Sequence, residues 1–304
     1  MILSHDANTV DDERPPQADT MPMHVAVTGA TGFIGGHLVG ALLSQGHRVT
    51  AIARNEARFR EMPWSDQVKF VAADIGTEIP ECVAGVGEVD ALVHLAWPGL
   101  PNYRDLFHLE ENLAASYTFI KSFVDSGCPQ VLVTGTCFEY GMQQGRLSES
   151  AATVPANPYG VAKDSLRRHL EMLKSHIGFR LQWARLFYMF GDGQNPKSLL
   201  AQLDSAIDRG DHVFNMSGGE QLRDYLPVSQ VAGYLAMIIR SRDFGGIVNV
   251  CSGQPISVRR LVEQHIRRRG ATIDLNLGHY PYPDYEPFAF WGDNSVLRSI
   301  ERYQ

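Results

Sequence analysis

From His24 onward, short apolar runs alternate with stretches of helical periodicity, the pattern of repeated βα units around a parallel sheet. Strands are predicted at His24–Thr28, Arg48–Ala53, Val68–Ala72, Ala91–Leu95, Val131–Thr134 and Leu181–Leu186. The intervals leave room for helices at about 34–45, 105–126 and 158–176, with a shorter one after Asn55. The implied fold class is α/β, a Rossmann doubly wound parallel sheet. After Gly191 the pattern changes to a loop rich in Gly, Pro and Asn, a helix near Ser198–Arg209, a hairpin-like turn at Gly218-Gly219 and short α/β pieces.

Composition narrows the class. The chain has 304 residues, 44% hydrophobic and 20% charged, enough to bury a full core. A net charge of -7 gives no basic footprint, so no nucleic-acid partner is expected. No stretch approaches the roughly 18 apolar residues that a bilayer crossing needs, so no membrane partner is expected either. Cys82, Cys128, Cys137 and Cys251 show neither a Cys-x-x-Cys pair nor metal-ligand spacing, which fits buried thiols in a reducing compartment. Residues 1–22 are acidic and contain paired prolines without an apolar core, so they read as a disordered extension rather than a secretory signal, with Met21 or Met23 as a candidate start.

The run His24-Val-Ala-Val-Thr-Gly-Ala-Thr-Gly-Phe-Ile-Gly places Gly29, Gly32 and Gly35 between a strand and a helix. Such a loop cradles a pyrophosphate: Gly29 permits the tight turn, Gly32 the close backbone approach and Gly35 the helix-to-strand packing, while the helix N-terminus supplies N–H donors. Thr31, Phe33 and Ile34 lie within the same loop. A dinucleotide-binding domain is therefore expected over 23–190. A smaller α/β substrate-binding domain over 191–304, partly interleaved with it, should close over the carboxyl ends of the strands.

Downstream, Tyr159 and Lys163 are spaced i, i+4, on one face of a helix. A phenol with an ordinary pKa near 10 can exchange protons at neutral pH only beside a cation such as this ammonium. The glycine spacing and the Tyr-Gly-Val-Ala-Lys163 segment, preceded by Thr134-Gly-Thr-Cys-Phe-Glu-Tyr-Gly141, resemble the extended short-chain dehydrogenase/reductases, in the epimerase/dehydratase branch that acts on nucleotide sugars. The resemblance implies Thr136, Tyr159 and Lys163 as catalytic residues, with Tyr159 and Lys163 also against the nicotinamide ribose. It implies that Asp74 and Ile75 after the third strand meet the adenine and that Leu95 and Ala96, in His94-Leu-Ala-Trp97, flank the nicotinamide end. Trp97 replaces the usual small residue, and Asn112 matches the superfamily's structural Asn only loosely.

Where NAD-preferring members end the second strand on an acidic residue, this chain has Ala53 followed by Arg54, which favours NADP(H), with NAD(H) second. Arg223, in Gln221-Leu-Arg-Asp-Tyr-Leu-Pro-Val228, inherits the role of binding the substrate diphosphate. Tyr188, in Arg185-Leu-Phe-Tyr-Met-Phe-Gly191, stands where epimerases carry a substrate-contacting Asn. Dehydratases place an Asp-Glu pair after the catalytic Thr, and here Cys137 and Phe138 stand there. The resemblance then points to bacterial reductases of dTDP-linked 6-deoxy-4-ketohexoses in surface-polysaccharide pathways, acting at C4 on a nucleotide-sugar substrate in the cytoplasm as a homodimer. A C4 epimerase with retained NAD is the alternative. A reductase of a non-sugar carbonyl and a non-catalytic dinucleotide-binding protein remain open beside it.

Overall fold

The computed structural model describes residues 21–303, so the expected disorder lies, for residues 1–20, outside the described residues. Seven strands form one all-parallel sheet: β1 (His24–Thr28), β2 (Arg48–Ala53), β3 (Lys69–Ala72), β4 (Ala91–His94), β5 (Gln130–Thr136), β6 (Arg180–Leu186) and β7 (Gly246–Val250). Their order is β3-β2-β1-β4-β5-β6-β7, so the direction of winding reverses between β1 and β4. A ligand cleft opens at such a reversal, because the two flanking crossovers leave in opposite directions.

Between the strands run α1 (Phe33–Ser44), α2 (Glu56–Arg60), α3 (Ile79–Val86), α4 (Leu113–Asp125) and α5 (Pro158–Ile177). Successive side chains of a strand point to opposite faces, and both faces are apolar here. Val25 and Val27 pack towards α1, together with α7 (Val228–Arg240) and α9 (Ser295–Arg302). Ala26 packs on the other face with Phe119, Phe123, Leu166 and Leu170 of α4 and α5. Asn55 caps α2 by accepting from the Arg58 amide, and α5 starts on an Asn157 cap with Pro158 at its first position. Gly178 ends α5 in the left-handed conformation.

The sheet differs from its sequence reading in instructive places. β7, α7 and α9 follow residue 190 yet build on the Rossmann layer, so the interleaving is extensive. What stays apart is a smaller core in which α6 (Leu199–Asp208) packs through Leu200 and Leu203 on Val258, Leu261 and Val262 of α8 (Val258–Arg269). The helix expected from 105 starts with a single π turn, His108–Asn112, and becomes α-helical only at Leu113. No hairpin forms at Gly218-Gly219. Val213–Asn215 pairs in parallel with Asp274–Asn276, and Leu222–Arg223 pairs with Ile256–Ser257. Gly219 does take the positive φ of a turn, +73°, but its Cα faces the Arg259 backbone, so the turn serves a helix contact rather than strand pairing.

Candidate active site

Two adjoining cavities lie at the carboxyl ends of the strands, about 690 Å³ and about 590 Å³. The larger is floored by the glycine turn. Gly29 holds φ +65°, and a Cβ there would stand 3.0 Å from the Ala96 nitrogen. A Cβ on Gly35 would stand 2.2 Å from the Gly29 carbonyl oxygen, so only glycine lets α1 begin against the turn. Thr31, Gly32, Phe33 and Ile34 complete this end, Arg54, Arg58, Asp74 and Ile75 the far end, and Leu95 and Ala96 the near wall. Every cofactor residue expected in the loop and after β2, β3 and β4 therefore faces one groove. Its shape, a glycine cradle against a helix N-terminus, fits a dinucleotide.

Buried polar pairs tie the strand ends together. Thr28 Oγ1 accepts from the Leu95 and Ala96 amides at 3.1 and 3.2 Å and meets His94 Nδ1 at 3.1 Å. Burial, with the charge of Lys163, pushes His94 down to about 3, so it is a neutral structural imidazole. At the far end Arg54 Nη1 lies 3.6 Å from Asp74 Oδ2, both side chains well exposed, a pair that can open to a ligand at little cost.

The smaller cavity holds Thr136, Tyr159 and Lys163 on one wall. Thr136 ends β5, and Tyr159 and Lys163 lie in the first turns of α5, which a Cβ on Gly160 would push from the Phe138 carbonyl, 2.7 Å away. Burial drives the Tyr159 phenol far above its ordinary range, and a hydrogen bond with Thr136 opposes this. Lys163 is 1% exposed, donates to the Thr134 carbonyl at 2.8 Å, and is lowered by burial to about 7. Its ammonium lies 3.9 Å from the centroid of the Trp97 ring. Trp97 lines both cavities and donates from Nε1 to His108 Nδ1 at 3.0 Å, while His108 Nε2 meets the Asn102 carbonyl. The π turn thus holds the indole at the passage between the cavities, and Asn112 in it donates to the Pro98 carbonyl at 3.0 Å.

Opposite stands a wall of rings. Tyr103 lies 5.6 Å from Tyr159 and 4.9 Å from Phe138, centroid to centroid, and Tyr285 reaches in from the C-terminal segment, 6.1 Å from Tyr103. Arg104 and Asp284 form an ion pair beside that contact. Tyr188 lines the cavity as expected, its hydroxyl donating to Glu286.

Arg223 is the exception among the expected site residues. It is 2% exposed, pairs with Glu286 at 2.9 Å, donates to the Leu222 and Phe288 carbonyls, and lies beneath the Tyr188 and Phe290 rings. Its guanidinium is thus committed within the protein, and the expectation that it presents itself to a diphosphate is not met in this arrangement. Besides Lys163, the cation that lines the cavity is Lys197, beside Ser198 and Leu199 at the start of α6. Trp97, Tyr103, Lys197 and Tyr285 were not assigned roles from sequence. Of these, Trp97 carried a local signal, as a bulky residue where a small one is usual.

A dinucleotide cleft that opens at the switch point onto a buried Tyr–Lys pair defines a Rossmann oxidoreductase-type site. The chain belongs to the NAD dependent epimerase/dehydratase family, whose model matches residues 25–251. Among its relatives, the dTDP-6-deoxy-L-talose 4-dehydrogenase (NAD(+)) of Aggregatibacter actinomycetemcomitans is 32% identical over 89% of this chain and 99% of the relative. The dTDP-6-deoxy-L-talose 4-dehydrogenase (NAD(P)(+)) of Kitasatospora kifunensis is 29% identical over 87% of this chain and 84% of the relative. Among solved structures, MoeE5 in complex with UDP-glucuronic acid and NAD superposes with a TM-score of 0.77 at 27% identity, covering 91% of this chain and 92% of that one. All four cysteines are free and buried, as expected. Among the described residues no helix is long and apolar enough to cross a membrane.

Proposed function

We propose that this protein reduces the C4 keto group of a nucleotide-linked 6-deoxy-4-ketohexose, most simply a dTDP-sugar, using NADP(H) with NAD(H) as second choice. The observation that carries the reading is the neutral, buried Tyr159 set with Thr136 and Lys163 between a dinucleotide groove and an aromatic cavity. The names of the two talose dehydrogenases above support the same C4 chemistry in its reverse direction.

The residues divide the work as follows. Thr136 Oγ1 and Tyr159 Oη hydrogen-bond the keto oxygen, polarising it. The reduced nicotinamide, when bound, supplies a hydride to the carbonyl carbon. Burial keeps Tyr159 protonated, so it is a donor poised for reduction, and its proton goes to the forming alkoxide. The Lys163 ammonium stabilises the phenolate left behind and is placed to hold the ribose. Cys137 and Phe138 line the cavity beside Thr136, and burial pushes the Cys137 thiol well up. Neither can serve as the second acid/base pair that eliminating water from the sugar requires, which disfavours a dehydratase.

The diphosphate fits the N-terminus of α6, where Lys197, Ser198 and Leu199 line the cavity. Arg54 and Arg58 at the far end of the groove suit a 2′-phosphate. On this reading the enzyme is cytoplasmic and pairs with a second copy through α4 and α5. Purified protein should consume NADPH faster than NADH on addition of a dTDP-4-keto-6-deoxyhexose. No consumption with either, together with NAD released on denaturation, would replace the reductase by a C4 epimerase.

A further inference from the structure

Beneath Thr136 lies a charged cluster that neither the dinucleotide nor the sugar uses. Glu139 is fully buried. Its carboxylate accepts from the Thr136 amide at 2.9 Å, from Trp183 Nε1 at 3.0 and 3.2 Å, and from Arg185 Nε at 2.7 Å. Arg185 is also buried, its guanidinium 4.6 Å from the centroid of the Tyr140 ring. Gly135 makes the space: a Cβ there would stand 2.1 Å from Trp183 Nε1 and 2.4 Å from Glu139 Oε1.

We propose that Glu139 is a positioning residue for the reaction, clamping Thr136 from below and setting a buried negative charge against the strand end that Lys163 holds. The proposal rests on the reading of Thr136, Tyr159 and Lys163 given above. The clamp is geometric. Thr136 caps the turn Cys137–Tyr140, with its amide on Glu139 and its Oγ1 accepting from the Phe138 amide at 3.3 Å, so a single buried carboxylate fixes the backbone that aims the hydroxyl. A buried pair such as Glu139 with Arg185 adds little net stability, because desolvation offsets its attraction. A role at the adjoining site gives it a purpose that stability does not.

The titratable groups facing Lys163 are Tyr159 on its own helix, His94 at the end of β4, His108 in the π turn and Glu139 after β5. Burial holds both histidines and the phenol neutral. Burial also raises Glu139, but its donors oppose this. Those donors, the Thr136 amide, the Trp183 indole and the Arg185 guanidinium, offer no acceptor for a carboxylic proton, so the site is shaped for the anion. Lys163 donates to the Thr134 carbonyl at 2.8 Å, while Glu139 Oε1 lies against Gly135 and on the Thr136 amide, the next two residues of the same strand end, so Glu139 is the anion that counters the fall of Lys163.

Glu139→Gln keeps acceptors for Thr136 and Trp183 while removing the charge. The alkaline limb of kcat should move to lower pH by about 1 unit, and the alkaline limb of NADPH affinity should move with it, since Lys163 is placed to hold the ribose. The affinity series needs no sugar, so a wrong substrate assignment stops turnover in the wild type without touching this readout. Because Gln beside an unpaired Arg185 can fail to fold, E139Q/R185M removes both charges, and a smaller displacement in the same direction is expected of it. A folded variant of either kind whose two alkaline limbs coincide with wild type overturns the proposal.

Discussion

The two cavities of the cleft are built on opposite plans. The floor of the dinucleotide groove is backbone, the Gly29–Gly35 turn and the start of α1, which follow one another in the chain, with walls from the ends of β2, β3 and β4. The sugar cavity is made of side chains carried by distant segments: Trp97 after β4, Thr136 after β5, Tyr188 after β6, Lys197 before α6 and Tyr285 near the C-terminus. A backbone cradle tolerates no added atom, whereas a side-chain wall can be recut one residue at a time. One half of the molecule is therefore rigid in purpose and the other adjustable, which is how one scaffold can serve different sugars.

Four experiments break or sharpen that contrast. The largest effect is expected at the junction, where Tyr159→Phe removes the proton donor and little surface. Turnover should drop roughly 10²–10⁴-fold, with dinucleotide affinity within a few-fold by fluorescence titration. More than a tenth of wild-type activity remaining would remove Tyr159 from its role. Next comes Gly35→Ala, whose Cβ would meet the Gly29 carbonyl at 2.2 Å. It should destabilise the fold by about 3 kcal/mol in a denaturant melt and abolish dinucleotide binding, and a wild-type midpoint would show that the cradle yields.

The third effect is on pH. Burial lowers Lys163 to about 7, so the ammonium is present below that value and lost above it. In reduction kcat should therefore be flat at acid pH and decline as pH rises through the neutral range, whereas a rate that climbs across the range would mean the neutral amine is the working form. The smallest effect belongs to Arg54, exposed and loosely paired with Asp74. Arg54→Ala should leave the melting temperature unchanged and weaken NADPH about tenfold with little effect on NADH. Equal losses for the two would remove the 2′-phosphate contact.

The same contrast explains what could be read from the chain alone. β1 and β2 were legible to the residue, and the glycine turn, Tyr159 and Lys163 were located with their neighbours, because each signal lies within one short segment. β7 was missed as a sheet strand because only its pairing with β6 defines it. The turn at Gly218-Gly219 looked like a hairpin because both flanks are short, and nothing local says that they pair elsewhere. Arg223 matched a motif, but Glu286, a partner 63 residues later in the chain, determines where its charge goes. Glu139 sat in plain view within the Thr-Gly-Thr-Cys-Phe-Glu-Tyr-Gly run. Its meaning depended on Arg185 and Trp183, which a different strand supplies.

The central claim is that hydride passes between the dinucleotide and C4 of the sugar with net turnover. The direct measurement is NMR of the product formed from a dTDP-4-keto-6-deoxyhexose and NADPH carrying deuterium at the transferring position of the nicotinamide. The account predicts deuterium at C4 of a new 6-deoxyhexose in step with the dinucleotide oxidised. A product without deuterium, or one epimerised at C4 with no dinucleotide consumed, would contradict it.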